Sequence, residues 1–270
     1  MPDRPTVVLT NDDGIDAPGI AALHDALQPV ASVTVVAPVE DHSGAGRRAD
    51  REFHVHDHPR GHAVTGTPAD CVAYGLHVVE DPDFVVAGAN DGPNVGADNV
   101  GRSATVGAAA EAAYLGHAGV AISTYHPEEG RVPDPDRADF AAAGDLARHV
   151  VETVAPETLV ERDAYLSANV PTHTDADTRL RLTEPVHDYG LRVEPSGDDE
   201  PSAAGEPSGD GYDVTSAFYD PLRPDRDEPV TDPVGTDRRA LADGDVSVAP
   251  LSIATNTVSR AHFRDLEGAY

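Results

Sequence analysis

The chain has 270 residues with 48 acidic and 19 basic side chains, so its formal net charge is −29, and every basic residue is an arginine. This acidic excess disfavours binding to a nucleic-acid polymer or an anionic membrane surface, because both carry negative charge of their own. The single cysteine, Cys71, excludes an intrachain disulfide, and no apolar run is long enough for a membrane span. We therefore expect a cytoplasmic protein, whose carboxylate-rich, lysine-free composition is typical of adaptation to concentrated salt.

The first forty residues predict a β-α-β unit. Thr6–Thr10 is a short β-branched run that ends at the turn cluster of residues 11–14, and Pro18 then opens a helical pattern. Ser32–Ala37 is a second apolar strand. Because a strand, a crossover helix and a second strand form a parallel pair with a right-handed connection, the fold is expected to begin as an open α/β sheet.

The following patterns extend this sheet. We predict a hairpin from Phe53–His58 and Ala63–Thr65, helices over Pro68–Val78, Ser103–Leu115 and Arg137–Val154, and strands over Phe84–Ala87, Gly119–Ser123 and Ala164–Asn169. The stretch from Gly88 to Arg102, rich in Gly and Asn, is predicted as a long loop. The fold class is therefore α/β, with a doubly wound, mostly parallel sheet.

The character of the chain changes after about Pro185. Residues 194–211 contain little besides Pro, Gly, Ser and acid, which predicts a loop or a disordered insertion. The short strand candidates are Tyr212–Val214, Ala217–Tyr219 and Val246–Ala249, and Ser259–Leu266 is a candidate for a final helix. We divide the chain into a catalytic body over 1–185, an acidic extension over 186–250, and a C-terminal helix over 251–270 that packs back on the body.

Polar clusters follow several of the predicted strands. Ligands of open parallel sheets bind beyond the carboxyl ends of the strands, so these clusters are expected to meet. Asn11-Asp12-Asp13-Gly14 places two adjacent carboxylates after the first strand, which suits a hard cation such as Mg²⁺ or Mn²⁺. An Asp-rich turn that only caps the next helix explains the same residues equally well.

The loop after the second strand is the next candidate. Ser43 lies among glycines, where its hydroxyl can approach a ligand, and His42 beside it is a candidate for proton transfer. Gly44–Ala49 matches the dinucleotide pattern G-x-G-x-x-A, but it does not directly follow the strand and no clear helix begins there, so we reject that interpretation. Arg47 and Arg48 are interpreted as surface partners of acidic residues.

The long loop and the helix after it form the largest candidate site. Asn90 and Asn94 lie among glycines that allow close backbone approach to a ligand, and the helix that begins at Ser103 offers an N-terminal anion site. Arg102 fits a phosphate contact and a surface ion pair equally well. An ordinary Ser-capped helix after a plain loop is the alternative, which the length of the loop disfavours.

Two further patterns are assigned structural roles. In Gly66–Val72, Thr67 is a plausible N-cap and Asp70 lies in the first turn of the following helix, so helix capping explains most of the motif. Cys71 is interpreted as a small buried residue. The histidines at positions 54, 56, 58 and 62 allow a zinc site, but a solvated hairpin face is the favoured interpretation.

Taken in order, these motifs resemble the SurE family of survival proteins. The matching segments are Thr10–Ile15 with Ala17–Ile20, Val36–Pro38 with Ser43-Gly44, Gly66–Val72, Gly88–Asp98 with Ser103–Val106, and, more thinly, Leu166–Pro171 and Asp243–Leu251. The chain departs from the family pattern at Ala87-Gly88, where the family has Ser-Gly, and at Ser103-Ala104-Thr105, where it has Ser-Gly-Thr.

The resemblance implies a Rossmann-like fold, a three-layer sandwich with an extended C-terminal arm or hairpin. It also implies a phosphomonoesterase that hydrolyses nucleoside 5′- and 3′-monophosphates and, in some members, short polyphosphate. One divalent metal ion per subunit, Mg²⁺ or Mn²⁺, is then expected on Asp12, Asp13, Ser43 and Asn90, and the expected catalytic residues are Asp12, Asp13 and Asn90. The expected phosphate contacts are Asn11, Asn94, Arg102, Ser103, Ala104 and Thr105. Family members pair through an extended C-terminal arm, so we expect a homodimer or homotetramer formed through residues 186–250.

Other functional classes share part of this pattern. Aspartyl-phosphate phosphatases and receiver-type signalling modules also place Asp at strand ends, but both normally use a Lys, which this chain lacks. We therefore expect water, rather than an aspartate, to attack the phosphorus. A nucleotide-binding sensor that does not turn over its ligand is an alternative function. The sequence shows no pattern for a nucleoside pocket, and Tyr125 is the one candidate lining residue.

Overall fold

The computed structural model describes residues 4–127, 130–188, 190–196, 211–216, 218–222 and 230–254. The strands are β1 (Thr6–Thr10), β2 (Ser32–Pro38), β3 (Val55–His58), β4 (Gly61–Val64), β5 (Phe84–Asp91), β6 (Ala118–Tyr125), β7 (Ala164–Pro171), β8 (Leu180–Leu182), β9 (Leu191–Pro195), β10 (Tyr212–Ser216) and β11 (Val246–Ser252). The helices are α1 (Pro18–Leu27), α2 (Pro68–Val78), α3 (Ala97–Arg102), α4 (Ala104–Tyr114), α5 (Ala141–Thr153), α6 (Pro156–Val160) and α7 (Asp237–Ala242), with short 3₁₀ turns at Arg137–Phe140 and Asp220–Leu222.

Within the described residues, nine strands form one sheet in the order β3-β4-β2-β1-β5-β6-β7-β11-β8. The central strands from β4 to β7 are parallel, whereas β3 and β11 run antiparallel to their inner neighbours. The chain moves to one side of β1 to form β2 and to the other side to form β5. The predicted Rossmann-like, doubly wound α/β fold is confirmed, and its topological switch point lies between β1 and β5.

Alternate side chains of the strands are buried on opposite faces. In β1, Val7 and Leu9 pack against one set of buried residues, which includes Leu23 of α1 and Leu146 of α5, whereas Val8 packs with the helices of the other face. On that other face α4 comes very close to the sheet, since a Cβ on Gly119 of β6 would lie 2.0 Å from a carbonyl oxygen of α4. The small residues of α4 allow this approach, which places the helix directly against the sheet.

Most predicted elements of the body are confirmed. The predicted bounds of β1 and α2 agree with the structure, and β3 and β4 form the expected hairpin. The predicted helix over Arg137–Val154 is a 3₁₀ turn followed by α5. No described helix has both the length and the apolar character that crossing a bilayer requires.

Two of our predictions for irregular segments are wrong. The loop predicted from Gly88 to Arg102 contains the end of β5 and the helix α3, because the backbone after Gly88 pairs with β6 in spite of its poor strand-forming residues. In the strand predicted over Ala217–Tyr219, Phe218 and Tyr219 lie in a turn, where Phe218 packs with Val95 and Leu241. The helix predicted over Ser259–Leu266 lies outside the described residues, as do residues 197–210 of the predicted insertion.

The C-terminal extension contributes to two different structures. β11 is a strand of the main sheet, paired with β7 on one side and with β8 on the other. β9 and β10 instead form a separate antiparallel hairpin whose side chains are all exposed. The division of the chain at residues 185 and 250 stays a prediction, but β11 places part of the extension inside the sheet of the body.

Candidate functional site

The predicted site residues follow neighbouring strands at the switch point of the sheet. β1 ends at Thr10 and leads into Asn11, Asp12 and Asp13, and β5 pairs with β1 in parallel and ends at Asn90 and Asp91. The register of β5 against β6 shifts between Gly88 and Asn90, a bulge that redirects the side chains after it. Asn90, near the end of β5, and Asp12, just after β1, therefore lie at the same edge of the sheet.

The N-terminus of α4 meets this edge through a direct contact. The hydroxyl of Thr105, in the first turn of the helix, donates to Oδ1 of Asp12 over 2.6 Å, and both residues are buried. Ser103 caps the helix, since its Oγ accepts from the backbone N–H of Val106. The positive end of an eleven-residue helix therefore lies beside the carboxylate of Asp12, and such an end favours anions.

The loop that carries Ser43 lies across the same edge. The backbone N–H of His42 donates to the carbonyl oxygen of Asp12 over 2.8 Å, and that of Gly46 donates to the carbonyl oxygen of Arg102 over 3.0 Å. A Cβ on Gly107 of α4 would lie 2.5 Å from the Gly46 oxygen, so a glycine is needed for the loop to come this close. The structure thus brings together three of the predicted clusters, those of Asp12, Ser43 and the start of α4.

Negative charge accumulates at this edge without full compensation. Burial is the main cause that raises the pKa of Asp12, and the hydrogen bond from Thr105 offsets only part of it. Burial also raises the pKa of Asp13 to about 7, with further contributions from the charges of Asp12, Asp41 and Asp91, while Arg131 acts in the opposite direction. A bound cation would relieve this repulsion, because an opposite charge nearby favours the ionised carboxyl.

The oxygen atoms available here fit a hard divalent cation. Asn11 donates to the Gly14 carbonyl, but its own Oδ1 is buried without a hydrogen-bond partner among the described residues. The amide nitrogen of Asn90 donates to the Gly92 carbonyl over 2.6 Å, so its oxygen is the atom left for a ligand. The exposed hydroxyl of Ser43 donates to Asp41, and its lone pairs can still serve a cation.

The kind of metal follows from these donors. In the described part of the chain, no group of three His, Cys, Asp or Glu side chains could hold a metal ion, which argues against a zinc centre of that composition. Two carboxylates with hydroxyl and amide oxygens instead make an all-oxygen set, as Mg²⁺ and Mn²⁺ prefer. Asp12, Asp13, Ser43 and Asn90 are therefore chemically suited to the predicted ion.

Two predicted phosphate contacts are engaged elsewhere. The amide nitrogen of Asn94 donates to the hydroxyl of Ser123 over 2.8 Å, and its backbone N–H donates to Asn169, so only one amide proton is left for a ligand. The guanidinium of Arg102 pairs with Asp98 one helical turn away and is largely exposed. Of the two interpretations of Arg102, the structure supports the surface ion pair.

The interpretations of the remaining motifs as structural are confirmed. Thr67 and Asp70 form a capping box at the start of α2, and Asp70 also accepts hydrogen bonds from the backbone of Asp50 and Arg51. Arg47 pairs with Glu111 and lies over the Tyr114 ring, and Arg48 pairs with Asp50. Among the hairpin histidines, His58 faces Asp16 and His62 packs against Tyr74.

A cavity of about 520 Å³ opens beside the carboxylate edge. The body contributes Asn90, Asn94, Tyr125 and Arg131 to its lining, and the extension contributes Tyr219, Pro221, Leu222, Val230 and Leu241. The hydroxyl of Tyr125 donates to the backbone oxygen of Asp245, which ties one wall to the other. Tyr125 was the candidate lining residue, but nothing in the sequence pattern indicates that the extension forms the opposite wall.

The comparisons with known proteins agree with this geometry. The family model described as "Survival protein SurE" matches residues 7–189. The chain is 41% identical over 270 residues to the 5′-nucleotidase SurE of Natronomonas pharaonis, covering 98% of this chain and 99% of that one. It is 42% identical over 259 residues to the 5′-nucleotidase SurE of Halobacterium salinarum, with 94% of each chain covered.

A solved structure is similar over nearly the whole chain. The crystal structure of the SurE protein from Aquifex aeolicus superposes with a TM-score of 0.76 at 29% identity, covering 98% of this chain and all of that one. The order of the motifs, the family match and the structural similarity lead to the same assignment. This chain belongs to the SurE family.

Proposed function

We propose that this protein is a divalent-metal-dependent nucleotidase that hydrolyses nucleoside 5′-monophosphates to nucleoside and phosphate. The observation that carries the proposal is a pair of under-compensated carboxylates, the buried Asp12 and the half-buried Asp13, beside both the N-terminus of α4 and a cavity. The relatives named 5′-nucleotidase SurE support the same reaction.

Each part of the site has a chemical task in this reaction. Asp12, Asp13, Ser43 and Asn90 would hold Mg²⁺ or Mn²⁺, which supplies polarisation of the phosphoryl oxygens and acidification of a ligand water. The first turn of α4 would bind the phosphate through the backbone N–H groups that the Ser103 cap does not use, since the Oγ of Ser103 already accepts from Val106. Thr105 holds Asp12 in place through its hydroxyl, so that carboxylate does not rotate freely.

Water is the nucleophile that this arrangement favours. One oxygen of Asp12 is occupied by Thr105, and the chain contains no lysine to neutralise a phosphorylated aspartate. A phosphoryl group attached to Asp12 or Asp13 in acid-quenched reactions, detected by mass spectrometry, would contradict attack by water.

The cavity favours a nucleotide over a purely inorganic substrate. Its aromatic and aliphatic lining, which includes Tyr125, Tyr219 and Leu241, suits the apolar face of a base and the ribose ring. Short polyphosphate has no group that needs such a lining. Nucleoside 3′-monophosphates are a second substrate class, since the cavity can hold the nucleoside whether its phosphate is attached at the 5′ or at the 3′ oxygen.

A phosphate-release assay separates the enzyme from a nucleotide sensor. With Mn²⁺ and molar salt, the wild-type protein is expected to release phosphate from AMP faster than from tripolyphosphate, whereas Asp13→Asn is expected to lose about 10²–10³-fold in kcat. Asp145→Asn is the matched control, because Asp145 lies exposed on α5 in an ion pair with Arg148. Tight AMP binding without any phosphate release from AMP, GMP, CMP or UMP would establish the sensor instead.

The hairpin of β9 and β10 supports the proposed self-association. One face carries Leu191, Val193, Tyr212 and Val214, and each of these side chains is at least half exposed. The other face carries charged and polar residues, and an exposed apolar face of this kind marks a contact surface. We expect a homodimer or homotetramer in molar salt, and Val193→Asp combined with Val214→Asp should convert it to a monomer in light-scattering measurements.

A further inference from the structure

Arg131 lies at the mouth of the cavity next to the carboxylate edge. Its side chain lies against Gly92, where an added Cβ would be only 2.7 Å from Nε of the arginine. Gly92 also has a φ of +115°, a conformation that side-chain-bearing residues rarely adopt. The glycine directly after β5 therefore leaves the space that the guanidinium stem occupies.

The loop that carries Arg131 is fixed to the same strand end. The backbone N–H of Val132 donates to the carboxylate of Asp91 over 3.3 Å, and His126 and Gly130 exchange two backbone hydrogen bonds of 3.2 and 2.8 Å. Asp91 directly follows Asn90, a predicted metal ligand. The loop is thus attached beside the candidate site, and Arg131 lines the cavity together with Asn90 and Asn94.

The charge of Arg131 is available at this position. Within the described residues it forms no ion pair with a carboxylate, whereas Arg47, Arg48 and Arg102 each pair with one. Among the described residues that line the cavity, it is the only arginine. In a chain of net charge −29, an accessible cation here is an exception.

We infer that Arg131 is a catalytic residue that contacts the phosphate of the nucleotide and stabilises its charge during transfer to water. A guanidinium fork matches two phosphoryl oxygens, and its charge complements that of a bound metal ion. This inference rests on the proposed nucleotidase function and adds a cation that none of the motifs contains. It also explains how a strongly acidic protein can attract an anionic substrate to this edge.

The test separates the phosphate contact from a packing role on Gly92. Arg131→Gln and Arg131→Lys are compared with Arg148→Gln, which removes the same charge from the exposed face of α5. Kinetics with AMP and Mn²⁺ are combined with calorimetric binding of AMP and of adenosine, and unfolding midpoints verify the fold. We expect Arg131→Gln to lose about 10²-fold in kcat/KM for AMP and to bind adenosine like the wild type. Arg131→Lys, which keeps the positive charge, should recover part of the lost kcat/KM.

The outcomes distinguish this inference from the proposed function. Suppose that the wild type hydrolyses AMP. If Arg131→Gln then keeps kcat/KM within twofold of the wild-type value, or if it weakens the binding of AMP and of adenosine equally, the phosphate contact is wrong and the nucleotidase function stands. If the wild type binds AMP without hydrolysis, the nucleotidase is wrong, and a selective loss of AMP affinity in Arg131→Gln still supports the contact. If the wild type binds neither compound, both are overturned.

Discussion

Two groups of aspartates in this protein differ in how their charge is balanced. Around α7, Arg238 binds Asp232 through two nitrogens, both at 2.7 Å, donates to Asp188 over 2.9 Å, and lies over the Phe218 ring. Beside it, Asp237 accepts hydrogen bonds from three backbone N–H groups. At the end of β1, by contrast, the charge of Asp12 raises the pKa of Asp13, and Arg131 offsets this only partly.

The difference indicates that the aspartates around α7 stabilise the fold, whereas those at the end of β1 are suited to binding a ligand. The aspartates around α7 have hydrogen-bond donors and a cation within the chain, although burial still raises the pKa of Asp237 against its three backbone hydrogen bonds and Arg238. Those at the end of β1 keep an excess of negative charge on one buried and one half-buried carboxyl, which costs stability unless a cation binds. Changes in the two groups should therefore have opposite effects on the stability of the metal-free protein.

The largest expected effect comes from removing Arg238. Arg238→Gln leaves Asp232 buried without its partner, and breaking a buried ion pair from one side costs about 3–5 kcal/mol of unfolding free energy. The matched control is Arg239→Gln, because the neighbouring Arg239 forms an exposed pair with Asp243 that is worth less than about 1 kcal/mol. Urea unfolding in molar salt measures both, and equal losses in the two variants would contradict the comparison.

The opposite sign is expected at the end of β1. The folded-state pKa of Asp13 is raised from 3.8 to about 7, so the folded protein holds this proton more tightly than the unfolded chain. Stability of the metal-free protein should therefore fall as the pH rises through this window, and Asp13→Asn should gain about 2–4 kcal/mol at pH values above about 8.

This gain should survive in concentrated salt. The main cause of the raised pKa is burial, which salt does not screen. Unfolding free energies measured with a chelator across the pH range provide the check. A variant less stable than the wild type above pH 7 would show that Asp13 is compensated by a partner within the chain.

A smaller effect is expected from the contact that joins the two regions. Oδ2 of Asp237 accepts from the backbone N–H of Gly96 over 2.6 Å, across 141 residues of sequence, and so holds the segment that follows Asn94. Asp237→Asn loses a charge-assisted acceptor worth about 1.5–3 kcal/mol. We expect KM for AMP to rise about tenfold with little change in kcat, whereas lower stability with an unchanged KM would limit Asp237 to the fold.

The smallest effect is expected at the start of α2. Thr67→Ala removes an N-cap and should lower the unfolding free energy by about 1 kcal/mol. Although Gly66–Val72 is one of the motifs that resemble the family most closely, the structure gives it a capping role. The kcat for AMP should therefore stay within twofold of the wild-type value, and a loss comparable to that of Asp13→Asn would place Thr67 in the active site.

The sequence was sufficient to predict most of the body and the clustering of its polar loops. Strand periodicity located β1 and β2, and the carboxyl-end rule then brought Asp12, Ser43 and Thr105 to one edge although they are distant in sequence. Contacts such as His42 to Asp12 and Thr105 to Asp12 agree with that prediction. The identity of the metal ligands themselves stays a prediction.

What the sequence did not reveal depends on tertiary contacts without a local pattern. Arg131 lies in an irregular segment, and its place at the cavity follows from packing on Gly92. The strand prediction over Ala217–Tyr219 failed because the Phe218 ring packs against the surface of Gly96, which overrides the β propensity of aromatic residues. The sequence did not connect Asp237 with Gly96, since an aspartate is favourable in the first turn of any helix and Asp237 opens α7.

Calorimetric titration of the metal-free protein with Mn²⁺ tests most directly whether the edge of β1 is a cation site. We predict one ion per chain for the wild type and for Asp145→Asn. In Asp12→Asn and in Asp13→Asn we predict that the Mn²⁺ affinity falls by at least about 10–100-fold, because losing a residue that only supports a metal ligand already costs this much. Equal Mn²⁺ affinity in all four proteins, or none in the wild type, would contradict the assignment of this edge.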